Sequence, residues 1–141
     1  IIPQDANFIG TIRTLNPTTR SLVKKQFIDI CNSTANAYGC TAEVEINQGY
    51  PVTINTSVES DIAIEVAKKV VKTESVKNNI APSMGAEDFA YMLEEKPGAY
   101  IWLGAGVNSE KLHSPFYDFN DELLPVGAQY WSDLAENILV E

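Results

Sequence analysis

The 141-residue chain contains a single histidine, two cysteines and two methionines. With His113 as its one imidazole, it cannot complete a metal site built from several histidines. Cys31 and Cys40 form no C-x-x-C pair, and two thiols are too few for a disulfide framework. Cys31 falls on the apolar stripe of an expected helix, where a free thiol behaves as a small hydrophobe. Both cysteines therefore suit a reducing cytoplasm, the expected location. Basic residues are also scarce: 10 Lys and Arg face 19 Asp and Glu, for a formal charge of −9 and a pI near 4.5. That balance argues against nucleic acid or an anionic membrane as the main partner, since both need clustered cations. The longest apolar stretch, Ala99 to Val107, is far too short to span a bilayer. The opening Ile1-Ile2-Pro3-Gln4-Asp5 has no Met, no basic region and no cleavage site. It is expected to be a chain that starts in mid-protein rather than a signal peptide.

What is present is ordinary globular material, 45% hydrophobic and 21% charged, of about one domain in length. Alternation predicts a strand over 7–15, with Phe8, Gly10 and Ile12 on one face and Ile9, Thr11, Arg13 and Leu15 on the other. Asn16-Pro17 then reads as N-cap and first helical residue. The helix behind it carries Val23, Phe27, Ile30, Cys31, Thr34 and Tyr38 on one side, and Gly39 closes it. A second strand is predicted over 41–47, with Ala42, Val44 and Ile46 inward and Thr41, Glu43 and Glu45 outward. These elements make a βαβ unit. Gly49-Tyr50-Pro51 breaks the pattern, and a boundary is placed between about 50 and 56.

Thr56 with Glu59 suggests a capping box. The helix that follows repeats Ile62, Val66, Val70 and Ala63, Ala67, Val71, with its acids early and its lysines late, as the helix dipole favours. The turn Ser83-Met84-Gly85-Ala86 opens a short helix that ends before Pro97-Gly98. The unalternating run 99–103 predicts a strand buried on both faces. A last helix starts near Pro125 and presents Val126, Tyr130, Leu134 and Ile138. The order makes an α/β chain in two parts, expected to pack as separate bodies.

Four places attract attention chemically, each with a plain alternative. His113 follows the predicted buried strand, where it could enter a cleft at a sheet's carboxyl edge; spacing alone favours an exposed loop histidine, since a single ligand has no geometry to test. Glu87 and Asp88 either line a pocket or sit in a helix's first turn for its dipole. Arg13 is either a solvent-facing strand residue or a guanidinium aimed at a carboxylate. Gly104-Ala105-Gly106 lacks any phosphate-loop pattern and marks a tight bend, with close ligand approach as one reason for it.

Four segments taken together resemble one family. They are Ile2-Pro3 with Gly10-Thr11-Ile12-Arg13-Thr14; Ser83-Met84-Gly85-Ala86-Glu87-Asp88-Phe89; Pro97-Gly98 through Leu103-Gly104; and Leu112-His113-Ser114-Pro115 with Asp118-Phe119-Asn120-Asp121. Their order and spacing resemble the metal-dependent amidohydrolases of the hippurate hydrolase, N-acyl-amino-acid and auxin-conjugate hydrolase type, within the dinuclear-metal aminoacylase and carboxypeptidase superfamily. The resemblance implies that residues 1–52 are the second half of a ferredoxin-like lid and dimerisation domain. Residues 53–141 would be the C-terminal part of a zinc-peptidase-like α/β catalytic domain.

By the same resemblance His113 matches a metal ligand and Arg13 a lid arginine that engages the substrate carboxylate. Glu87, Asp88 and the Gly104 bend would line the pocket. The intact enzyme would use two divalent ions (zinc, manganese or cobalt) to hydrolyse an acyl-amino-acid amide, working as a homodimer through the lid. The family's Cys-Gly-His loop, paired glutamates and second histidine have no counterpart here, so no catalytic set is complete in this chain. The fragment alone is expected to bind no metal stably and to be inactive. Asp118, Asp121 and Glu122 are not a cluster the family uses. Two other classes stay open: a binding or assembly module with the same fold, and an unrelated α/β domain that resembles the family by chance.

Overall fold

The computed structural model describes residues 1–139. Four α-helices follow one another along the chain: α1 (Pro17–Ala37), α2 (Ser57–Val70), α3 (Phe89–Glu95) and α4 (Leu123–Leu139), with a 3₁₀ turn at Thr73–Ser75. The chain falls into two compact units. The first comprises Ile1–Val52 with Pro82–Ala90, and the second Thr53–Ala81 with Tyr91–Glu141.

In the first unit, α1 is bounded by its own sequence. The Asn16 side chain accepts from the Thr19 N–H at 2.7 Å, and Pro17 occupies the first turn, where no donor is needed. At the other end Gly39 adopts φ +70, and the Gly39 and Cys40 N–H groups bond to the Asn36 and Ala35 carbonyls. That pair of bonds is a Schellman closure, and the left-handed residue it needs is a glycine. Two cations four residues apart on α1 reach the segment after it. Arg20 Nη2 donates to the Tyr50 carbonyl at 3.0 Å and Lys24 Nζ to Gln48 Oε1 at 3.1 Å.

The predicted strands 7–15, 41–47 and 99–103 are not formed, and the described residues contain no strand. In place of the βαβ arrangement expected for the lid, the described residues show one helix between two segments without regular secondary structure. Alternation gives a segment two faces, but a strand also needs a second backbone to take up its N–H and C=O groups. The faces themselves are present over 41–46, where Ala42, Val44 and Ile46 are half-buried while Thr41, Glu43 and Glu45 are exposed. No residue of α1 is buried, and Phe27 and Ile30 on its stripe stay exposed. The run 99–103 departs from expectation in the same way: Ile101, Trp102 and Leu103 are exposed rather than covered on both faces.

The second unit has the small apolar core of Ala63 and Val66 from α2 and Tyr130 from α4, and these two helices pack together. Val66 is 1% exposed, and burying it fully is worth roughly 1.5–2 kcal/mol. Leu103 is brought against Gly127 of α4, where an added Cβ would stand 3.7 Å from Leu103 Cδ2. α2 keeps Glu59 in its first turn and Lys68 and Lys69 in its last. On its surface Lys68 pairs with Glu65 at 2.7 Å, and that hydrogen bond holds the Glu65 carboxyl below the usual carboxylate range.

Side chains at the start of α2 supply what a neighbouring strand would. Asn55 Nδ2 donates to the Tyr100 carbonyl at 2.9 Å, and Asn55 Oδ1 accepts from the Tyr100 N–H at 2.8 Å. The carboxamide thus pairs with both backbone groups of one residue, as a peptide unit would. Next to it the Thr56 N–H donates to the Gly98 carbonyl at 3.0 Å, and the Gly98 N–H donates to Thr56 Oγ1 at 2.9 Å. The Thr56 hydroxyl in turn donates to the Glu59 carboxylate. The capping-box residues therefore meet each other, with the threonine oxygen turned to Gly98 instead of to an amide of α2.

Four substitutions test this unit. Thr56→Val removes the acceptor for the Gly98 N–H and the donor to Glu59, and it should cost about 1–2 kcal/mol in urea unfolding; Asn55→Ala, at an exposed pair, should cost about 1 kcal/mol. Gly127→Ala should raise stability by up to about 1 kcal/mol, because alanine favours the helix and the new methyl meets only ordinary contact. Burial pushes the Tyr130 phenol above its usual value of 10.0. Its contribution to stability is thus present in full below that value and is lost as pH rises through the folded one. Unfolding followed from pH 8 to 11.5 should show a shallower alkaline decline in Tyr130→Phe than in the unmutated protein.

Candidate functional site

The segment 104–122 runs between the 99–103 stretch and α4, and short-range bonds shape it. Lys111 accepts from the Ser114 N–H at 3.0 Å, and Ser114 accepts from the Tyr117 N–H at 3.1 Å, so two turns follow each other. His113 occupies the third position of the first turn with φ 69, the one non-glycine residue with positive φ among the described residues. Positive φ at that position alone belongs to a type II turn and is normally given to glycine or asparagine. A histidine there bears strain of order 1 kcal/mol, and its side chain is exposed.

Asn120 closes the segment. Its Oδ1 accepts from the Glu122 N–H at 3.1 Å, its carbonyl accepts from the Leu123 N–H at 3.0 Å, and its Nδ2 donates to the Ala105 carbonyl at 3.3 Å. One side chain so starts α4, two residues before the expected Pro125, and ties that start to residue 105. Between them lies an open cleft of about 500 Å³ lined in part by Gly106, Asn108, Ser109, Asp118 and Phe119. The bend expected across Gly104-Ala105-Gly106 is made by Gly106 at φ +104; Gly104 is exposed, with open space beside it.

The other candidate residues belong to the first unit. Arg13 is exposed, and its Nη1 donates to the Met84 carbonyl at 2.7 Å, across 71 positions of sequence. The same stretch carries Glu87, which is half-buried and accepts from the Phe89 N–H at 3.3 Å, and Asp88, which is exposed. Arg13 is thus joined to the Ser83–Phe89 motif, whereas His113 and Gly104 are in the second unit. Three residues shape these places in ways the sequence did not show: Ser83 and Asn120, which lie within the motif segments, and Asn55, which lies outside them. Each is a Ser or Asn just ahead of a turn or helix, the position where such side chains capture backbone groups.

Among the described residues no group of three or more His, Cys, Asp or Glu side chains is arranged to hold a metal ion. Asp118, Asp121 and Glu122 do not gather around His113 into such a site. A catalytic zinc takes about three protein ligands, more than the described residues bring together at one place. Cys31 and Cys40 are both free thiols. No described helix is long and apolar enough to cross a membrane.

Comparison with known proteins agrees with the motifs. The pattern of Peptidase family M20/M25/M40 matches residues 5–137. Hippurate hydrolase of Campylobacter jejuni is 36% identical over 135 residues, covering 96% of this chain and 35% of that protein. Thermostable carboxypeptidase 2 of Saccharolobus solfataricus is 35% identical over 138 residues, covering 91% and 33%. N-acetylcysteine deacetylase of Bacillus subtilis is 30% identical over 139 residues, covering 99% and 36%. The chain spans about a third of the length of these curated relatives. No solved structure gives a significant match. With residues 5–137 matched, and relatives at least 30% identical over 91% or more of its length, the chain belongs to Peptidase family M20/M25/M40.

Proposed function

We propose that this chain is the C-terminal portion of a metal-dependent amidohydrolase that cleaves the amide bond of N-acyl amino acids or similar carboxylate-bearing substrates. The observation that carries the reading is His113. The chain's only histidine lies in the Leu112–Pro115 segment that carries the resemblance, with a positive φ uncommon for a non-glycine residue, and its side chain is exposed. Strain of that kind persists where a side chain must be aimed at something. The names of relatives support the reaction class: hippurate hydrolase, N-acetylcysteine deacetylase and IAA-amino acid hydrolase.

In this reading His113 is one ligand of a metal centre whose other ligands come from residues outside this chain. Arg13 binds the substrate carboxylate, with Glu87, Asp88 and Gly104 along the pocket. Residues 1–52 form the second half of a lid. Their segments 7–15 and 41–47 become the strands of a βαβ unit when further strands pair with them, and a homodimer forms there. The setting is cytoplasmic, the substrate is a small acyl-amino acid, and neither nucleic acid nor membrane is a partner. The parent fold is α/β, as the family implies.

The test uses the full-length protein with hippurate and N-acetyl amino acids, before and after chelation and on re-addition of zinc, manganese or cobalt. Hydrolysis should be lost on chelation and restored by one of the ions. His113→Ala should lower kcat/KM by at least about 100-fold, more than loss of an outer-shell partner usually costs. Residues 1–141 alone should release no product. Full activity in His113→Ala, or hydrolysis by residues 1–141 alone, would reject the assignment.

A further inference from the structure

The peptide unit that joins Met84 to Gly85 is held at both ends. Its N–H donates to Ser83 Oγ at 3.2 Å, and its carbonyl accepts from Arg13 Nη1 at 2.7 Å. Both bonds lie within the first unit. No peptide bond in the described residues is cis, and a trans peptide is planar with its N–H and C=O pointing in opposite directions. A hydroxyl that fixes the N–H of this unit therefore fixes the line of its carbonyl. Polarisation runs the same way: an N–H already engaged makes the carbonyl of its own peptide a better acceptor. Ser83 thus sets the place where the Arg13 guanidinium is anchored, although the two side chains do not bond to each other.

The anchor takes one of the five guanidinium N–H donors. It leaves the edge that carries Nε and Nη2, a fork that matches a carboxylate bidentately. An exposed arginine with no anchor samples many rotamers, and ordering it on binding opposes affinity. With Nη1 tied to a fixed carbonyl, part of that ordering is already done.

We propose that Ser83 is a positioning residue for Arg13: through the Met84–Gly85 peptide it orients the guanidinium so that its Nε–Nη2 edge meets the carboxylate of the substrate. The proposal rests on the reading of Arg13 as the carboxylate-binding residue. It makes Ser83 a determinant of selectivity for substrates with a free carboxylate, acting on binding rather than on bond cleavage.

The experiment compares hippurate with its carboxamide analogue, hippuramide, in the full-length protein, with folding of each variant checked by circular dichroism and Tm. Ser83→Ala should raise KM for hippurate about 3- to 10-fold, the effect of one lost hydrogen bond, with kcat within twofold. Hippuramide kinetics should not change. Ser83→Thr keeps the acceptor and should restore the hippurate KM, and Ser83→Ala added to Arg13→Ala should cause no further loss. An unchanged hippurate KM in Ser83→Ala, beside a raised one in Arg13→Ala, would overturn the positioning role and leave Arg13's role standing. Equal losses on both substrates, or losses that add in the double variant, would also overturn it, because Ser83 would then act apart from Arg13. If Arg13→Ala leaves the hippurate KM unchanged, or if the unmutated protein cleaves neither compound, the reading of Arg13 fails and this role falls with it.

Discussion

The second unit depends on a clamp in which side chains stand in for a strand. Asn55 pairs with both backbone groups of Tyr100, and Thr56 pairs with both backbone groups of Gly98. An extended segment with no ladder partner leaves its amides and carbonyls to water, and nothing then fixes its direction. Here four hydrogen bonds settle the start of the 98–103 stretch, and that stretch leads to the Leu103 contact on α4. The same two residues precede the first turn of α2, so one clamp locates both the helix and the segment beside it. Packing of Val66 and Tyr130 completes what those polar contacts begin. The burial is modest, so the geometry of the clamp matters more here than in a domain with a large core.

In the first unit the same task falls to cations. Arg13, Arg20 and Lys24 each reach a carbonyl oxygen, two of the backbone and one of Gln48, and they hold segments that no sheet holds. Such bonds at an exposed surface are individually weak, because water competes for both partners. Apart from Ala90, the unit has no buried residue, and the stripe of α1 stays uncovered. Its stability therefore rests on few and replaceable contacts, a common property of elements that rearrange around ligands. Arg13 stands out among the three cations because it joins residues far apart in the chain and still has donors to offer.

The family was legible in the sequence: the segments around Arg13, Ser83–Phe89 and His113 carry a resemblance that the family match over 5–137 agrees with. The tasks of the positioning residues were not legible, even where, as for Ser83 and Asn120, the residues lie in those segments. Asn55, Ser83 and Asn120 are ordinary turn-formers by type, and only the location of Tyr100, Gly85 and Ala105 gives them a task. The strand expectations failed for a related reason. The alternation over 41–46 does predict which residues face inward, as their half-buried and exposed classes show, but pairing involves a second backbone that a segment's own pattern cannot supply.

The sequence by itself determined what depends on neighbours a few residues away. It set the limits of α1 through Asn16, Pro17 and Gly39, the charge order of α2, and the faces of the 41–46 segment. These features are local because caps, dipoles and side-chain alternation act within one or two turns. Tertiary structure alone decided where Arg13 finds its carbonyl, which residues clamp 98–100, and that the predicted strands pair with no strand among the described residues. Those outcomes join positions up to 71 residues apart. Contacts at that range form only when the folded chain has already met the entropic cost of closing the loop between them.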